Sequence, residues 1–460
     1  MLPEEIMGLG PALTEFLGGF RNCLGECRLR DHFATYCRGL LSDLQRKSVE
    51  PIALAAGSTV RALQMFLTDR VWDHLRLRDR VQRRVVALHL PAPGAPRGPD
   101  DLGVIGLIDE TSVAKKGDKT PGVQRQYCGS RGKIENCVVT VHLGYAHGDF
   151  TTLLDAELFL PESWDADRER CRQADIPDDL TYRPKTAIAI AEVQRALGNG
   201  LHFDWLVFDE GYGRNPGFLF ALDALGQNWI GEVPKNFRCW PVPPQYQSPR
   251  KEFASKEVYN VVRWSLAFIS QDWRAITCPR RTVEPTVWEV KAAQVYLVDH
   301  GRPTDRTYWL IVAANRATGE YKYFVSNAPP RTKVNLLLKV AFRRSEIEHL
   351  FRLTKDQVGL DHFEGRSYVG LIRHMILCQL IILFLTEQTA RLNAQLNAQI
   401  ATPAASPAAA GPEKKTTRPE AGANTPALPP PPAADRDPDP SACHDGADGV
   451  LPELALCPLA

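Results

Sequence analysis

Residues 102–111 read LGVIGLIDET and residues 204–213 read DWLVFDEGYG. Each is a short apolar run that delivers an aspartate, Asp109 or Asp209, where the chain is expected to leave the core. A run of this length predicts a buried strand. An acidic side chain at its end is partly desolvated, which costs free energy unless a cation compensates it. A single aspartate in this setting is an ordinary turn residue. Two of them suggest carboxylates converging from neighbouring strands, which repel unless a metal ion lies between them. Oxygen-only ligation suits Mg²⁺ or Mn²⁺, not zinc.

Outward from these strands the pattern is mixed. Residues 137–145 and 150–159 alternate as strands around a His147-Gly148-Asp149 turn, 186–197 have helical period, 217–225 predict a helix and 229–233 a further strand. Three antiparallel strands followed by helix, strand, helix and strand predict an α+β fold, a mixed sheet covered by helices. Residues 234–327 are β-rich, with strands expected over 286–298, 308–314 and 321–325 and a hairpin turn at Thr318-Gly319. Helical period returns after Lys333 and persists to about residue 397. Before the first strand, residues 21–86 are helical in pattern and carry thirteen Arg and Lys against seven Asp and Glu, a local +6 in a chain whose net charge is +1. The Arg76, Arg78, Arg80, Arg83 and Arg84 run closes this basic stretch, and Pro91–Pro99 (PAPGAPRGP) is a linker by composition. Residues 401–450 hold 11 Pro and 13 Ala with almost no aliphatics, a composition expected to stay disordered. The expected boundaries are therefore 1–90, 100–233, 234–330, 331–397 and 398–460.

A third carboxylate can be sought in the late helix. In FRRSEIEHLFRLTK, residues Arg344, Glu348, Phe351 and Lys355 fall at i, i+4, i+7 and i+11, on one helix face, whereas Glu346 points away from Glu348. Arg and Lys flanking a glutamate suit a carboxylate that holds a metal beside a phosphodiester. Read without its context, Arg344–Glu348 is a common surface i,i+4 pair.

Asp109, Asp209 and Glu348, in that order on strand, strand and helix, resemble the catalytic triad of DDE transposases of the retroviral-integrase (RNase H-like) superfamily. The late helix is similar to the insertion-sequence branch marked by a Tyr-x2-Arg-x3-Glu-x6-Lys signature: Arg344, Glu348 and Lys355 match its last three positions, while the tyrosine position falls on Ala341, beside Phe342. YCGSRGKIENC, DEGYG and GLDHFEGRS resemble the same family, and the similarity runs from about residue 31 to about residue 385. The resemblance implies an RNase H-like core interrupted by a β-rich insertion, with the N-terminal helices binding transposon ends. It implies two Mg²⁺ (or Mn²⁺) ions bridged by Asp109, with Asp209 and Glu348 each completing one coordination shell, and Arg344 and Lys355 on phosphates. It further implies cut-and-paste DNA transposition by a bacterial cytoplasmic protein acting at the nucleoid, at least dimeric when two ends are synapsed. The rival expectations are a transposase-derived DNA-binding protein that no longer cuts and a stand-alone RNase H-like nuclease. An intact acidic triad argues against the first, and the β-rich block and basic front argue against the second.

Several other residues point to less. Gly129 and Gly132 lack Walker A or dinucleotide-fold spacing and read as turn glycines. Cys23 and Cys27 have no second ligand pair nearby, and the eleven cysteines, with no CxxC pair, read as reduced thiols. His349 beside Glu348 and the tryptophans Trp288 and Trp309, which could stack on a flipped base, read as ordinary helix and core residues. Glu110 and Glu210 point away from the metal if the strands continue through them. The longest apolar stretch, 375–385, is broken by Gln379 and is far short of the ~20 residues a bilayer requires, so no membrane is expected.

Overall fold

The computed structural model describes residues 3–401 apart from 93, 99, 243–253 and 279–284. The expected disordered tail, 398–460, differs at its start, because residues 398–401 continue the last helix; beyond Ala401 it falls outside the described residues. The first aspartate run opens β1 (Ile105–Ala114), and it is followed by β2 (Gln124–Cys128), β3 (Lys133–His147) and β4 (Phe150–Leu158). β5 (Trp205–Phe208) and β6 (Trp229–Val233) complete the expected series. β3 lies antiparallel to β1 and β4, while β5 runs parallel to both β1 and β6. This is the mixed sheet the strand order predicts, in the spatial order β4-β3-β1-β5-β6.

β1 does not stop at Asp109. The strand continues through it to Ala114, with Asp109 paired to His142 and Ala114 to Cys137 on β3. The Thr111-Ser112-Val113 stretch is β-branched or small enough to extend the pairing, so the aspartate sits inside a strand, not at its end.

Residues 234–330 extend the same sheet. β7 (Arg238–Trp240), β8 (Lys256–Glu257), β9 (Arg274–Cys278), β10 (Thr286–Asp299), β11 (Arg302–Pro303), β12 (Tyr308–Asn315) and β13 (Glu320–Ser326) follow in turn. β13 pairs antiparallel with β6, and β12 and β10 carry the order onward. The backbone groups at the edge of β6 are thereby satisfied within the chain. Two short helices, Val258–Trp264 and Leu266–Ile269, interrupt this otherwise β-rich block.

Helices cover the sheet. At the front lie α1 (Pro3–Gly18), α2 (Cys27–Leu41), α3 (Val49–Ala55), α4 (Val60–Leu67) and α5 (His74–His89). Between β4 and β6 come α6 (Glu162–Asp165), α7 (Arg168–Gln173), α8 (Lys185–Gly198), α9 (Glu210–Gly213) and α10 (Pro216–Ala224). The two helices already noted in the β-rich block are α11 and α12, and the chain then forms α13 (Val334–Phe342), α14 (Ser345–Leu353), a π-helical turn over Thr354–Val358 and α15 (Tyr368–Ala401).

α15 is long and apolar enough by composition to cross a membrane, yet 83% of its most apolar window is buried inside the protein. Its Arg373 donates to the carbonyls of Phe66, Leu67 and Thr68, satisfying the C-terminal end of α4 that has no intrahelical partners. Tyr36 of α2 hydrogen-bonds His374 at 2.9 Å. The helical front is thus locked onto α15, and the described residues form one compact unit. Part of the expected basic face serves this packing: Arg84 pairs with Glu387 at 2.7 Å, Arg80 donates to the Gly19 carbonyl at 2.7 Å and Arg83 to Asn199 at 3.1 Å. Arg28, Arg38, Arg61, Arg70 and Arg76 remain exposed.

Candidate active site

Asp109 enters the site from β1 with only 7% of its surface exposed. One carboxylate oxygen accepts from the Glu110 N–H at 2.7 Å and the other from the Arg344 guanidinium at 2.9 Å. Burial, and then the neighbouring Asp209, push the Asp109 carboxyl up to about 7, with Arg344 pulling the other way and Glu348 adding a smaller push.

Asp209 follows β5 and caps α9, its side chain accepting from the Tyr212 N–H at 3.3 Å, the usual use of aspartate at an N-cap. The GYG that follows has a packing reason. A Cβ on Gly213 would lie 2.0 Å from the Glu232 carbonyl oxygen of β6, so only glycine lets this turn seat against the sheet and fix the cap. Tyr212 is buried, and its hydroxyl has no hydrogen-bond partner among the described residues although acids surround it. Burial comes first in raising its pKa, followed by Glu110, Asp109, Glu192 and Asp209.

The late helix is broken where the sequence suggests continuity. α13 ends at Phe342, and Arg344 is the N-cap of α14, yet its backbone is helical (φ −52°, ψ −35°), so the i,i+4 relation across the break survives. Arg344 donates to Glu348 at 2.5 Å with its second nitrogen, and so bridges Asp109 and Glu348. Glu348 is the open member of the set, its side chain 57% exposed. Glu346 is buried, on the other side of the helix as expected. Phe351 docks the helix by meeting the His142 ring edge-on at 5.0 Å, one strand away from Asp109. Lys355 lies in the π-helical turn and donates to the Ser112 carbonyl at 3.1 Å; burial lowers its pKa. Both cations of the signature therefore reach β1.

Among the described residues, no three His, Cys, Asp or Glu side chains are grouped closely enough to hold a metal ion as they stand. The donor chemistry nevertheless fits one. The candidate ligands offer only oxygen, Asp109 is short of compensating positive charge, and a guanidinium takes up the position of counter-charge between Asp109 and Glu348.

Ala341, at the signature's tyrosine position, is buried on α13, and Phe342 turns to Trp288 (5.0 Å) and Phe324 (5.8 Å) of the extended sheet. Neither supplies a phenol to the site. Trp288 is core, as expected. Glu110 leans away from Asp109 to Lys185 at 2.6 Å, the alternation that a continuing strand requires. Lys185, Ser112 and Tyr212 were not singled out by spacing; the DEGYG phrase was the available signal for Tyr212. Beside Glu210 opens a cleft of about 1220 Å³ lined by Arg214, Lys235, Arg263, Tyr259, Trp273 and Tyr323 among others.

With this geometry in hand, the relatives are informative. Over 290 residues the chain is 28% identical to the probable transposase for insertion sequence element IS701 of Microchaete diplosiphon, an alignment covering 60% of this chain and 71% of that one. Among solved structures it is similar to the piggyBac transposase synaptic complex with hairpin DNA, at TM-score 0.38 and 11% identity, over 82% of this chain and 74% of that one. Residues 19–285, more than half of the chain and including Asp109 and Asp209, match the model of the DDE superfamily endonucleases. The chain belongs to the DDE superfamily endonucleases.

Proposed function

We propose that this endonuclease is a DNA transposase that cuts at the ends of its element and joins the freed ends to target DNA, with Asp109, Asp209 and Glu348 as its acidic set. The observation that carries the reading is the state of Asp109: buried, pushed up to about 7, facing Asp209, and tied through one arginine to Glu348. A site that concentrates negative charge beyond its internal compensation is built to receive cations.

Asp109, Asp209 and Glu348 are the residues that would hold divalent cations such as Mg²⁺ or Mn²⁺, two in number, and those ions would supply activation of the attacking oxygen and charge stabilisation of the leaving one. Arg344, once released from the carboxylates, is placed to bind the phosphate beside the scissile bond, and Lys355 holds a second phosphate from the end of the same helical segment. Lys185 keeps Glu110 turned away from the acidic set. The basic and aromatic lining of the cleft beside Glu210 suits a nucleic-acid strand, and the exposed arginines of the helical front suit duplex ends. Synapsis of two ends takes at least two copies.

Incubating the purified protein with the DNA that flanks its gene and Mg²⁺, and mapping products at nucleotide resolution, tests this. Staggered or blunt cuts at fixed element ends, followed by joined products, are expected. Binding without cutting would favour a DNA-binding protein, and cutting at structure instead of at fixed ends would favour a general nuclease.

A further inference from the structure

The β2–β3 hairpin carries an apolar pair on the wrong side of a sheet. Tyr127 and Ile134 are direct cross-strand partners, and they are 64% and 61% exposed. Strand alternation explains which face they occupy. Arg125 and Tyr127 point outward, while Gln126 and Cys128 point inward, where Cys128 packs with Cys137 and Val139. A cross-strand aromatic and β-branched pair contributes packing within the ribbon, and no part of the described chain covers its outer side.

The outer face is positively charged. Arg125 shares that face with the pair and Arg131 is exposed in the turn that joins the strands, while Lys133 and Glu135, 3.6 Å apart, alternate onto the other face as the partners of Cys128 and Gln126. The ribbon is also held firmly. The Ser130 N–H donates to the Ser112 hydroxyl at 3.2 Å, and the Asn136 amide donates to the Lys115 and Gly117 carbonyls at 3.0 and 2.6 Å. Ser112 is the residue whose carbonyl receives Lys355. It lies three residues beyond Asp109 on the same strand, roughly 10 Å away. The hairpin is therefore anchored to the strand that carries the first catalytic acid.

We propose that the β2–β3 hairpin enters a groove of the DNA being cut, with Tyr127 and Ile134 forming an apolar wedge against its base pairs and Arg125 and Arg131 on the flanking phosphates. A two-stranded ribbon fits the major groove, and apolar side chains pushed between base steps partially unstack them. The Ser112 anchor lies roughly three base steps of 3.4 Å from Asp109, and the proposed wedge acts about two to four base pairs from the scissile phosphate. The inference rests on the transposase reading above.

The test uses the full chain and end duplexes carrying 2-aminopurine at successive positions from the mapped cut. In an Asp109→Asn background, which holds cleavage back, fluorescence is expected to rise at one step about two to four base pairs from the cut, and Tyr127→Ser with Ile134→Ser is expected to abolish the rise. In the otherwise wild-type chain the same pair of substitutions is expected to slow cleavage of paired DNA by about tenfold, the equivalent of ~1.4 kcal/mol of unstacking work. A mismatch at that step should restore the rate, because the step is already open. Both side chains are exposed, so the melting temperature should not move. Unchanged fluorescence and cleavage in the double variant would overturn the wedge alone, as would a defect that the mismatch fails to rescue. A shift in oligomeric state with DNA distortion intact would overturn it too, making the pair a protein contact. A wild-type chain that neither binds nor cuts the duplex would sink the transposase reading together with it.

Discussion

Two buried carboxylates on the same sheet, Asp109 of β1 and Asp155 of β4, differ in how completely the fold answers their charge. Asp155 is fully buried and accepts from the Gln82 amide at 3.2 Å, from Arg195 at 2.9 Å and from the Ala156 N–H at 2.9 Å. Its neighbour Glu157 takes the other arm of Arg195 at 3.0 Å and an ion pair with Arg183. The nearby buried Glu192 is the loose end, and there burial, then Asp155, raise the carboxyl well above its ordinary range. Asp109 has one N–H and one arginine, and that arginine is shared with Glu348 while Asp209 stands opposite. The first cluster is closed by the protein. The second is left with less internal compensation, and this difference is what the proposed role of Asp109 rests on.

The sharpest break of that comparison is a pair of isosteric changes. Asp109→Asn should lower Mg²⁺-dependent cleavage on the order of 10³-fold with DNA binding retained. Asp155→Asn should leave the activity of the folded fraction near normal and destabilise the fold by about 3 kcal/mol. Cleavage kinetics set beside denaturant unfolding read both, and normal cutting by Asp109→Asn would falsify the assignment. Arg344→Ala should reduce cleavage about 10²-fold with a smaller effect on melting, because its bond to Glu348 is largely solvent-exposed. Comparable losses in stability and activity would instead make Arg344 a structural residue.

Ala341→Tyr sharpens the comparison from another side by restoring the signature tyrosine. Ala341 is buried against the sheet, so overpacking should cost about 1–3 kcal/mol without raising the cleavage rate. A faster enzyme would show that the position does face the site.

The smallest expected effect is in pH. The Asp109 carboxyl is raised to about 7, so the folded, metal-free protein binds that proton more tightly than the unfolded chain. The contribution is present at low pH and is lost as pH rises through about 7. Melting temperature should fall by about 2–4 °C between acidic and mildly alkaline buffer in the metal-free wild type, and Asp109→Asn should flatten that slope. Mg²⁺ must displace the same proton, so its stabilising effect should weaken as pH falls. A slope identical in the two proteins would place the titration elsewhere.

Much of this was legible in the chain. The apolar runs before Asp109 and Asp209 marked β1 and β5, and the spacing of Arg344, Glu348 and Lys355 marked the segment that faces them. β-branched and aromatic density located β10, β12 and β13. Other features were hidden. Nothing in a one-dimensional pattern says that β1 runs on past Asp109, because its continuation depends on pairing with β3. The kink at Arg344 is equally silent, since residues on either side are good helix formers. The Arg run of α5 looked like a free basic face, whereas Arg80, Arg83 and Arg84 reach partners far away in the sequence.

The sequence by itself determined the chemical inventory: oxygen donors on buried strands, cations at helical spacing from a glutamate, and enough apolar surface to build one sheet with helical cover. Only the tertiary structure decided which acid goes uncompensated and which is neutralised, and that β13 continues the sheet from β6. The reason is that desolvation and charge compensation are set by groups that the chain brings together from a hundred or more residues apart, as Arg344 is brought to Asp109, while propensity and periodicity act only over a few turns or one strand.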